Sequence, residues 1–176
     1  MEKKMIKYPL ILGTIALVAG LLLAFVYNVT APIIEENKVK RENEIIIKMF
    51  GEDAKIEDVS STLTNTEKKE GIYSVLKVTD NGKKYYVYKV TFADSYDGDE
   101  SSYVLTLTNT GKIYDLTFTS YGDSYASGYA SEDYSEDVKG KGLLNINVDK
   151  VAGATATGKS FVSSANAAIE HQGGIK

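Results

Sequence analysis

The pattern of apolar and polar positions separates an N-terminal apolar segment from a mixed remainder. From Tyr8 to Ile34, 27 consecutive residues carry no charge, which exceeds the roughly 20 residues that a helix needs to cross a bilayer. The segment is too long for the apolar part of a signal peptide, and Tyr-Asn-Val-Thr at residues 27–30 is a poor cleavage site. The pattern predicts an uncleaved transmembrane helix over residues 8–34, preceded by a short tail over residues 1–7.

Charged residues become frequent after the apolar segment. Apolar residues recur at near-helical spacing among them up to Phe50, which predicts a helix that continues from the anchor. The following residues, 51–70, are polar and turn-rich. We therefore expect a helix and linker over residues 35–70, and a folded domain over residues 71–176.

Two hairpin patterns open the domain. Asn81-Gly82 accepts the positive φ angles of a type I′ turn, and Asn109-Thr110-Gly111 marks a second turn. The four strands predicted around these turns are residues 72–79, 84–92, 103–108 and 113–119. A fifth strand is predicted at residues 143–148 and a C-terminal helix at residues 157–170. The predicted fold class is α+β: a single N-terminal transmembrane helix, then an antiparallel-sheet domain with a C-terminal helix.

Composition excludes several classes of chemistry. The sequence contains no cysteine, which rules out disulfides, Cys-ligated iron–sulfur clusters and a Cys nucleophile. We expect the single histidine, His171, on an exposed last helical turn and assign it no catalytic role. The net charge is −4, of which the first 34 residues contribute +2. An acidic domain without a basic stripe argues against nucleic acid as a partner.

The distribution of basic residues bears on orientation. The three lysines in residues 1–7 mark the tail as cytoplasmic, while Lys38, Lys40 and Arg41 follow the span closely. The count alone is nearly balanced, but a long domain can be exported regardless of charge. We expect a single-pass protein of the plasma membrane with a cytoplasmic N-terminus and an extracytoplasmic domain.

Two loops stand out by composition. Residues 94–100 are acidic, but their spacing does not fit an EF-hand, so we expect a solvated loop and no metal site. Residues 121–142 are rich in glycine and tyrosine and long enough to be functional. The tyrosine rings would either cover a flat aromatic ligand or lie at an interface or surface.

Residues 153–160, G-A-T-A-T-G-K-S, match the P-loop pattern in full. In a P-loop, backbone N–H groups cradle phosphates while the lysine and serine contact the phosphates and Mg²⁺. The surroundings fit poorly, because the preceding strands are predicted to be antiparallel. Only 16 residues follow Ser160, so we expect neither further strands nor a Walker-B acid. An NTPase is therefore disfavoured.

Residues 149–155, D-K-V-A-G-A-T, offer a second interpretation of the same segment. They resemble D-x-x-[ST]-G-A-T, the attachment motif of an FMN-binding domain family. That family includes the G subunit of the Rnf electron-transport complex and the C subunit of the sodium-translocating NADH:quinone reductase. Ala152 stands where the family usually has Ser or Thr. The Lys-bearing tail, the single span, the charged helix and the closing helix are also similar to the Rnf member of this family.

The resemblance implies that FMN is joined to Thr155 through a phosphoester. A helix N-terminus at this position suits a phosphate, because the helix dipole is positive there. Lys159 would lie one turn beyond and either reach the phosphodiester or be solvated, and Thr157 would either bond the phosphate or begin the helix. The cofactor-binding residues expected besides Thr155 are Gly153, Ala154, Thr157, Lys159, Asp123 and Ser124.

In function, the resemblance implies a redox carrier subunit rather than a free-standing enzyme. It would pass electrons within an Rnf-type complex that couples electron flow between ferredoxin and NAD to ion transport. Its partners would be other membrane subunits and a flavin transferase that matures it. Two alternatives stay open: a stand-alone flavinylated extracellular electron carrier, and a flavin-free membrane-anchored binding domain.

Overall fold

The computed structural model describes residues 2–93, 98–122, 124, 126–145 and 155–175. The chain forms two compact units, Met1–Arg41 and Glu42–Lys176. The first helix, α1, runs over Glu2–Phe50 and contributes residues to both units. One 18-residue window of this helix has a mean hydropathy of 2.5 and no buried residue. By length and composition, α1 is a candidate membrane span, as the uncharged run of residues predicts.

The second unit is an α+β domain built on one antiparallel sheet. Its strands follow one another in space in the order β1-β2-β3-β4-β5, so every pair is formed by neighbours in sequence. The strands are β1 (Lys55–Asp58), β2 (Ile72–Asp80), β3 (Lys83–Ala93), β4 (Glu100–Thr108) and β5 (Ile113–Ser120). The helices after α1 are α2 (Asn65–Lys69), α3 (Ala126–Tyr129), α4 (Glu132–Val138) and α5 (Thr155–Gly174). The predicted fold class is confirmed.

Turn chemistry sets the register of the sheet. Asn81 and Gly82 have φ angles of 47° and 76°, as a two-residue type I′ turn requires, and they join the paired residues Asp80 and Lys83. Gly111, at φ 77°, closes the turn between β4 and β5. Both hairpins expected from the sequence are therefore present.

The fifth strand is not where the sequence placed it. Residues 143–145 form no strand, and residues 146–148 lie outside the described part of the chain. The fifth strand is instead β1, inside the segment expected to be a linker, and it pairs with β2 from Lys55↔Thr79 onward. All four side chains of β1 are exposed. The strand therefore has no alternation of apolar and polar residues from which it could have been predicted.

Apolar side chains cover both faces of the sheet. The larger core lies between the sheet and helices α3, α4 and α5; its fully buried members include Val75, Tyr88, Tyr103, Leu105 and Phe161. A smaller core on the other face contains Ile46 and Phe50 from the end of α1, packed with Val78, Tyr85, Val87 and Val104. Burial on both faces explains why β3 and β4 are apolar or aromatic at successive positions.

His171 is buried, which contradicts the expectation of an exposed last turn. It is 8% exposed; its Nδ1 lies 3.0 Å from the Tyr88 hydroxyl and its Nε2 lies 3.2 Å from the Thr62 carbonyl. The carbonyl can only accept, so Nε2 donates to it, and in a neutral imidazole ring Nδ1 then accepts from the Tyr88 hydroxyl. The expectation was wrong because α5 extends to Gly174 and its last turns lie against the sheet.

Candidate functional site

Helix α5 presents Thr155 at its first position. The prediction began this helix at residue 157, whereas the structure begins it at Thr155 and continues for 20 residues. The Thr155 side chain is exposed, so its hydroxyl is open to modification. An anion at this point would meet the positive end of a long helix dipole. The preceding motif residues, Asp149 to Ala154, lie outside the described part of the chain.

The face of α5 that begins at Thr155 borders a groove. Lys159 and Ser163 follow Thr155 at four-residue spacing, which places the three residues on one helix face. Lys159 is exposed and lines a cavity of about 450 Å³. The groove is lined by Lys69, Glu70, Gly71, Thr91, Phe92, Ala93, Lys159, Ser160 and Ser163. Lys159 therefore has open space beside it, and Ser163 is fixed by donating a hydrogen bond of 2.7 Å to Glu70.

Thr157 occupies a different position from Thr155. It is 2% exposed, so its side chain lies on the face of α5 that packs on the domain. The sequence offered it either as a phosphate ligand or as the start of the helix. The helix starts two residues earlier, so Thr157 does not begin it.

Helix α3 brings the segment after β5 to the first turns of α5. Tyr129 of α3 packs against Gly158, where a Cβ atom would lie only 2.1 Å from the tyrosine hydroxyl oxygen. Ser127 donates a hydrogen bond to the Ser124 carbonyl, and the Ser124 side chain is exposed. The structure thus joins the segment that contains Ser124 to the helix that begins at Thr155. Asp123 lies outside the described residues.

An aromatic cluster supports this end of α5. The Phe161 ring lies 5.3 Å from the rings of Tyr103 and Tyr129, 5.5 Å from Phe118 and 6.0 Å from Tyr134. The Tyr103 hydroxyl is 2.7 Å from the Ser164 hydroxyl. Burial raises the pKa of Tyr103 and raises that of Tyr134 to about 12. The first turns of α5 therefore pack on buried, uncharged aromatic side chains.

The cluster also corrects one sequence interpretation. Tyr129 and Tyr134 were expected to cover a flat ligand or to lie at an interface or surface, but both are buried in the core. Of the other tyrosines in that segment, Tyr121 is 55% exposed and Tyr125 lies outside the described residues. The segment also contains α3 and α4, and is not a continuous loop. Its apolar helical faces are each too short to give a periodic signal.

The structure disfavours the NTPase alternative. The strands that it describes pair only in antiparallel fashion, whereas a P-loop joins a strand of a parallel sheet to a helix. Residues 155–160 of the P-loop-like motif thus form the first turns of a helix that packs on an antiparallel sheet.

Comparison with known families identifies the domain. The FMN-binding domain family matches residues 96–170, a range that contains β4, β5, α3, α4 and most of α5. The fold and the match together define a protein with an FMN-binding domain. No curated protein matches the chain.

A second family match extends the identification to the anchor. The RnfG N-terminal region matches residues 1–46, which include the apolar part of α1. The chain is an RnfG-like FMN-binding subunit. With one candidate span in the matched region, it is a single-pass membrane protein. The resemblance drawn from the attachment motif and the anchor is confirmed at this level.

Proposed function

We propose that the chain carries FMN through a phosphoester on Thr155 and serves as an electron-transfer subunit of an Rnf-type, ion-translocating ferredoxin:NAD oxidoreductase. The observation that supports this most strongly is the exposed Thr155 at the first position of α5, inside the matched FMN-binding domain. A threonine hydroxyl at a helix N-terminus fits a phosphate chemically, because the hydroxyl can be esterified and the dipole favours the remaining charge.

Each expected site residue has a role in this proposal. In the net condensation, the Thr155 Oγ1 atom bonds to the phosphorus of FMN, a P–O bond to a phosphate hydroxyl breaks, and that hydroxyl leaves with the threonine hydrogen as one water. The cofactor is then held by a covalent bond. Gly153 and Ala154 leave space for the phosphate and for the transferase. Lys159, one turn along the exposed face, would place its ammonium group near the phosphodiester, and the Thr157 backbone N–H would face the same charge.

Further contacts would come from the segment after β5. Ser124 and Asp123 are proposed to contact the cofactor, because α3 holds this segment against the first turns of α5. The bound FMN would supply electron transfer between the neighbouring redox partners, while the chain tethers and orients it. The described residues offer no separate catalytic group for another substrate, so we propose a carrier subunit.

The proposed location is the plasma membrane, with residues 1–7 in the cytoplasm and the domain outside. The proposed span is residues 8–34 and the proposed FMN-binding domain is residues 71–176. Residues 35–70, which were expected to be a helix and linker, contain the end of α1 together with β1 and α2. Along the span, Ala16, Gly20 and Ala24 fall on one face, where small residues allow another helix to approach closely. We propose that this face contacts other membrane subunits. Replacing Gly20 with Leu should then weaken assembly, whereas a stand-alone flavinylated carrier would be unaffected.

Ala152 favours the alternative of a flavin-free, membrane-anchored binding domain. The family usually has Ser or Thr at this position of a motif that a flavin transferase reads, so a flavin-free binding domain is the second candidate. The experiment is intact mass spectrometry of the chain expressed with a flavin transferase, beside Thr155→Ala and Lys159→Ala. We expect an added mass of FMN less one water in the wild type and in Lys159→Ala, and none in Thr155→Ala. No added mass in any of the three would support the flavin-free candidate.

A further inference from the structure

Gly158 lies inside α5, where glycine is an unfavourable residue and calls for a structural explanation. Glycine is the poorest helix former after proline, and Gly158 is not among the glycines with positive φ. The reason is space: a Cβ at this position would lie 2.1 Å from the Tyr129 hydroxyl oxygen and 3.0 Å from its Cζ atom. No pair of heavy atoms tolerates the first distance without a bond, so only glycine fits while Tyr129 keeps its place.

Tyr129 has little freedom to move aside. It is 3% exposed, and its ring is held between Tyr134 at 5.1 Å and Phe161 at 5.3 Å. Interiors packed at this density transmit a displacement instead of absorbing it. A side chain added at residue 158 would therefore push the tyrosine, and with it the short helix α3.

The contact joins two segments that both belong to the candidate site. Helix α3 begins at Ala126, two residues after Ser124, and the Ser127 hydroxyl donates a hydrogen bond to the Ser124 carbonyl. Helix α5 begins at Thr155, three residues before Gly158. The close approach of Tyr129 to Gly158 is therefore a contact between the helix that follows Ser124 and the helix that begins at Thr155.

We propose that Gly158 and Tyr129 form a positioning contact, which holds the segment around Ser124 against the attachment helix and so sets the surroundings of a cofactor on Thr155. The second glycine of the P-loop-like motif serves this packing role. The contact itself follows from the chain's own geometry, while its consequence for the cofactor rests on the proposed function.

The first test uses the full chain without flavin, in a Thr155→Ala background, and measures amide hydrogen exchange over residues 126–130. Gly158→Ala should speed exchange there by about tenfold, since overpacking weakens local packing. Adding Tyr129→Phe removes the atom at 2.1 Å but keeps the Cζ atom at 3.0 Å, so it should restore part of the protection. Tyr129→Phe alone is the matched control, with a smaller effect. Unchanged exchange in Gly158→Ala, or no recovery in the double variant, would overturn the positioning contact.

The second test uses protein whose intact mass shows attached FMN. Gly158→Ala should load FMN to the wild-type extent, but its flavin fluorescence and reduction potential should shift, and the double variant should return both toward wild type. A lowered melting temperature with unchanged flavin fluorescence and potential would show that the contact only stabilises the fold, and would overturn the proposal. Absence of FMN from wild-type protein would contradict the proposed function alone, because the exchange experiment decides the contact without it.

Discussion

The buried ion pair between Glu42 and Lys89 offers the sharpest test of how the end of α1 is held on the sheet. Glu42 is 1% exposed and Lys89 is 7% exposed, and the Lys89 ammonium lies 3.2 Å from a Glu42 carboxylate oxygen. Lys89 also donates to the Asn43 side chain at 3.1 Å, and the Tyr73 hydroxyl donates to the other Glu42 oxygen. Both charges are thus removed from water and depend on each other.

The magnitude follows from this burial. Removing one member of a buried pair leaves the other charge uncompensated, which costs about 3–5 kcal/mol. Lys89 would keep its bond to Asn43, so we expect Glu42→Ala to lower the free energy of unfolding by about 3 kcal/mol, at the lower end of that range. For a domain of this size that corresponds to a fall in melting temperature of roughly 10 °C.

The assay is thermal unfolding of the full chain in detergent, followed by near-UV circular dichroism. The chain has 13 tyrosines and no tryptophan, so the signal reports mainly on the packed tyrosines of the domain. The control is Lys77→Ala, which breaks a solvent-accessible pair at 3.8 Å between the half-buried Lys77 and the exposed Glu57 and should cost less than about 1 kcal/mol. The double variant Glu42→Leu with Lys89→Met should be close to wild type, because apolar replacement of a buried pair is often neutral. Equal, small losses for Glu42→Ala and Lys77→Ala would refute the reasoning.

Three further predictions concern the domain. Gly71 has a φ angle of 88°, and a Cβ atom there would lie 1.9 Å from the Thr91 carbonyl oxygen. Gly71→Ala should therefore lower the free energy of unfolding, measured in urea, by at least about 2 kcal/mol. His171→Ala leaves the buried Tyr88 hydroxyl without its acceptor and should cost about 2 kcal/mol, part of which Tyr88→Phe should recover in the same assay. Burial raises the pKa of Tyr134 from 10.0 to about 12, so the folded state holds this proton more tightly than the unfolded chain. That stabilisation is complete below pH 10 and is lost as the pH rises toward 12. The melting temperature of the wild type should fall over this interval, and it should fall less in Tyr134→Phe.

The sequence carried enough information for the anchor, the two hairpins and the start of the last helix to within two residues. These features depend on local signals: an uncharged run for α1, Asn81-Gly82 for the first turn, and apolar periodicity for α5. The fold class follows from them, because two hairpins and one amphipathic helix leave few ways to bury their apolar faces.

The features that were predicted wrongly, the fifth strand and the exposure of His171, depend on tertiary contacts. The strand β1 is held by backbone pairing with β2, and its exposed side chains give no pattern. His171 is buried because α5 crosses the sheet to reach Tyr88 and the Thr62 carbonyl. Neither contact is local in sequence, so neither leaves a periodic or motif signal.

At the candidate site, Thr155 stays a prediction of the attachment motif, and the match to the FMN-binding domain family supports FMN as the cofactor. The contact between Gly158 and Tyr129 was not predicted. A glycine inside a helix pattern was the available signal, since it indicates either a phosphate loop or a close approach by another group. The structure shows a close approach, because the Tyr129 side chain packs against the helix at Gly158.

The most direct test of the central claim is to locate the flavin on the chain. Protein expressed with a flavin transferase would be digested, and fragment masses of the peptide that contains residues 151–159 would be assigned residue by residue. The account predicts that the added FMN phosphate lies on Thr155 and on no other hydroxyl of the peptide. Attachment at Thr157, or a wholly unmodified peptide from fully folded protein, would contradict it.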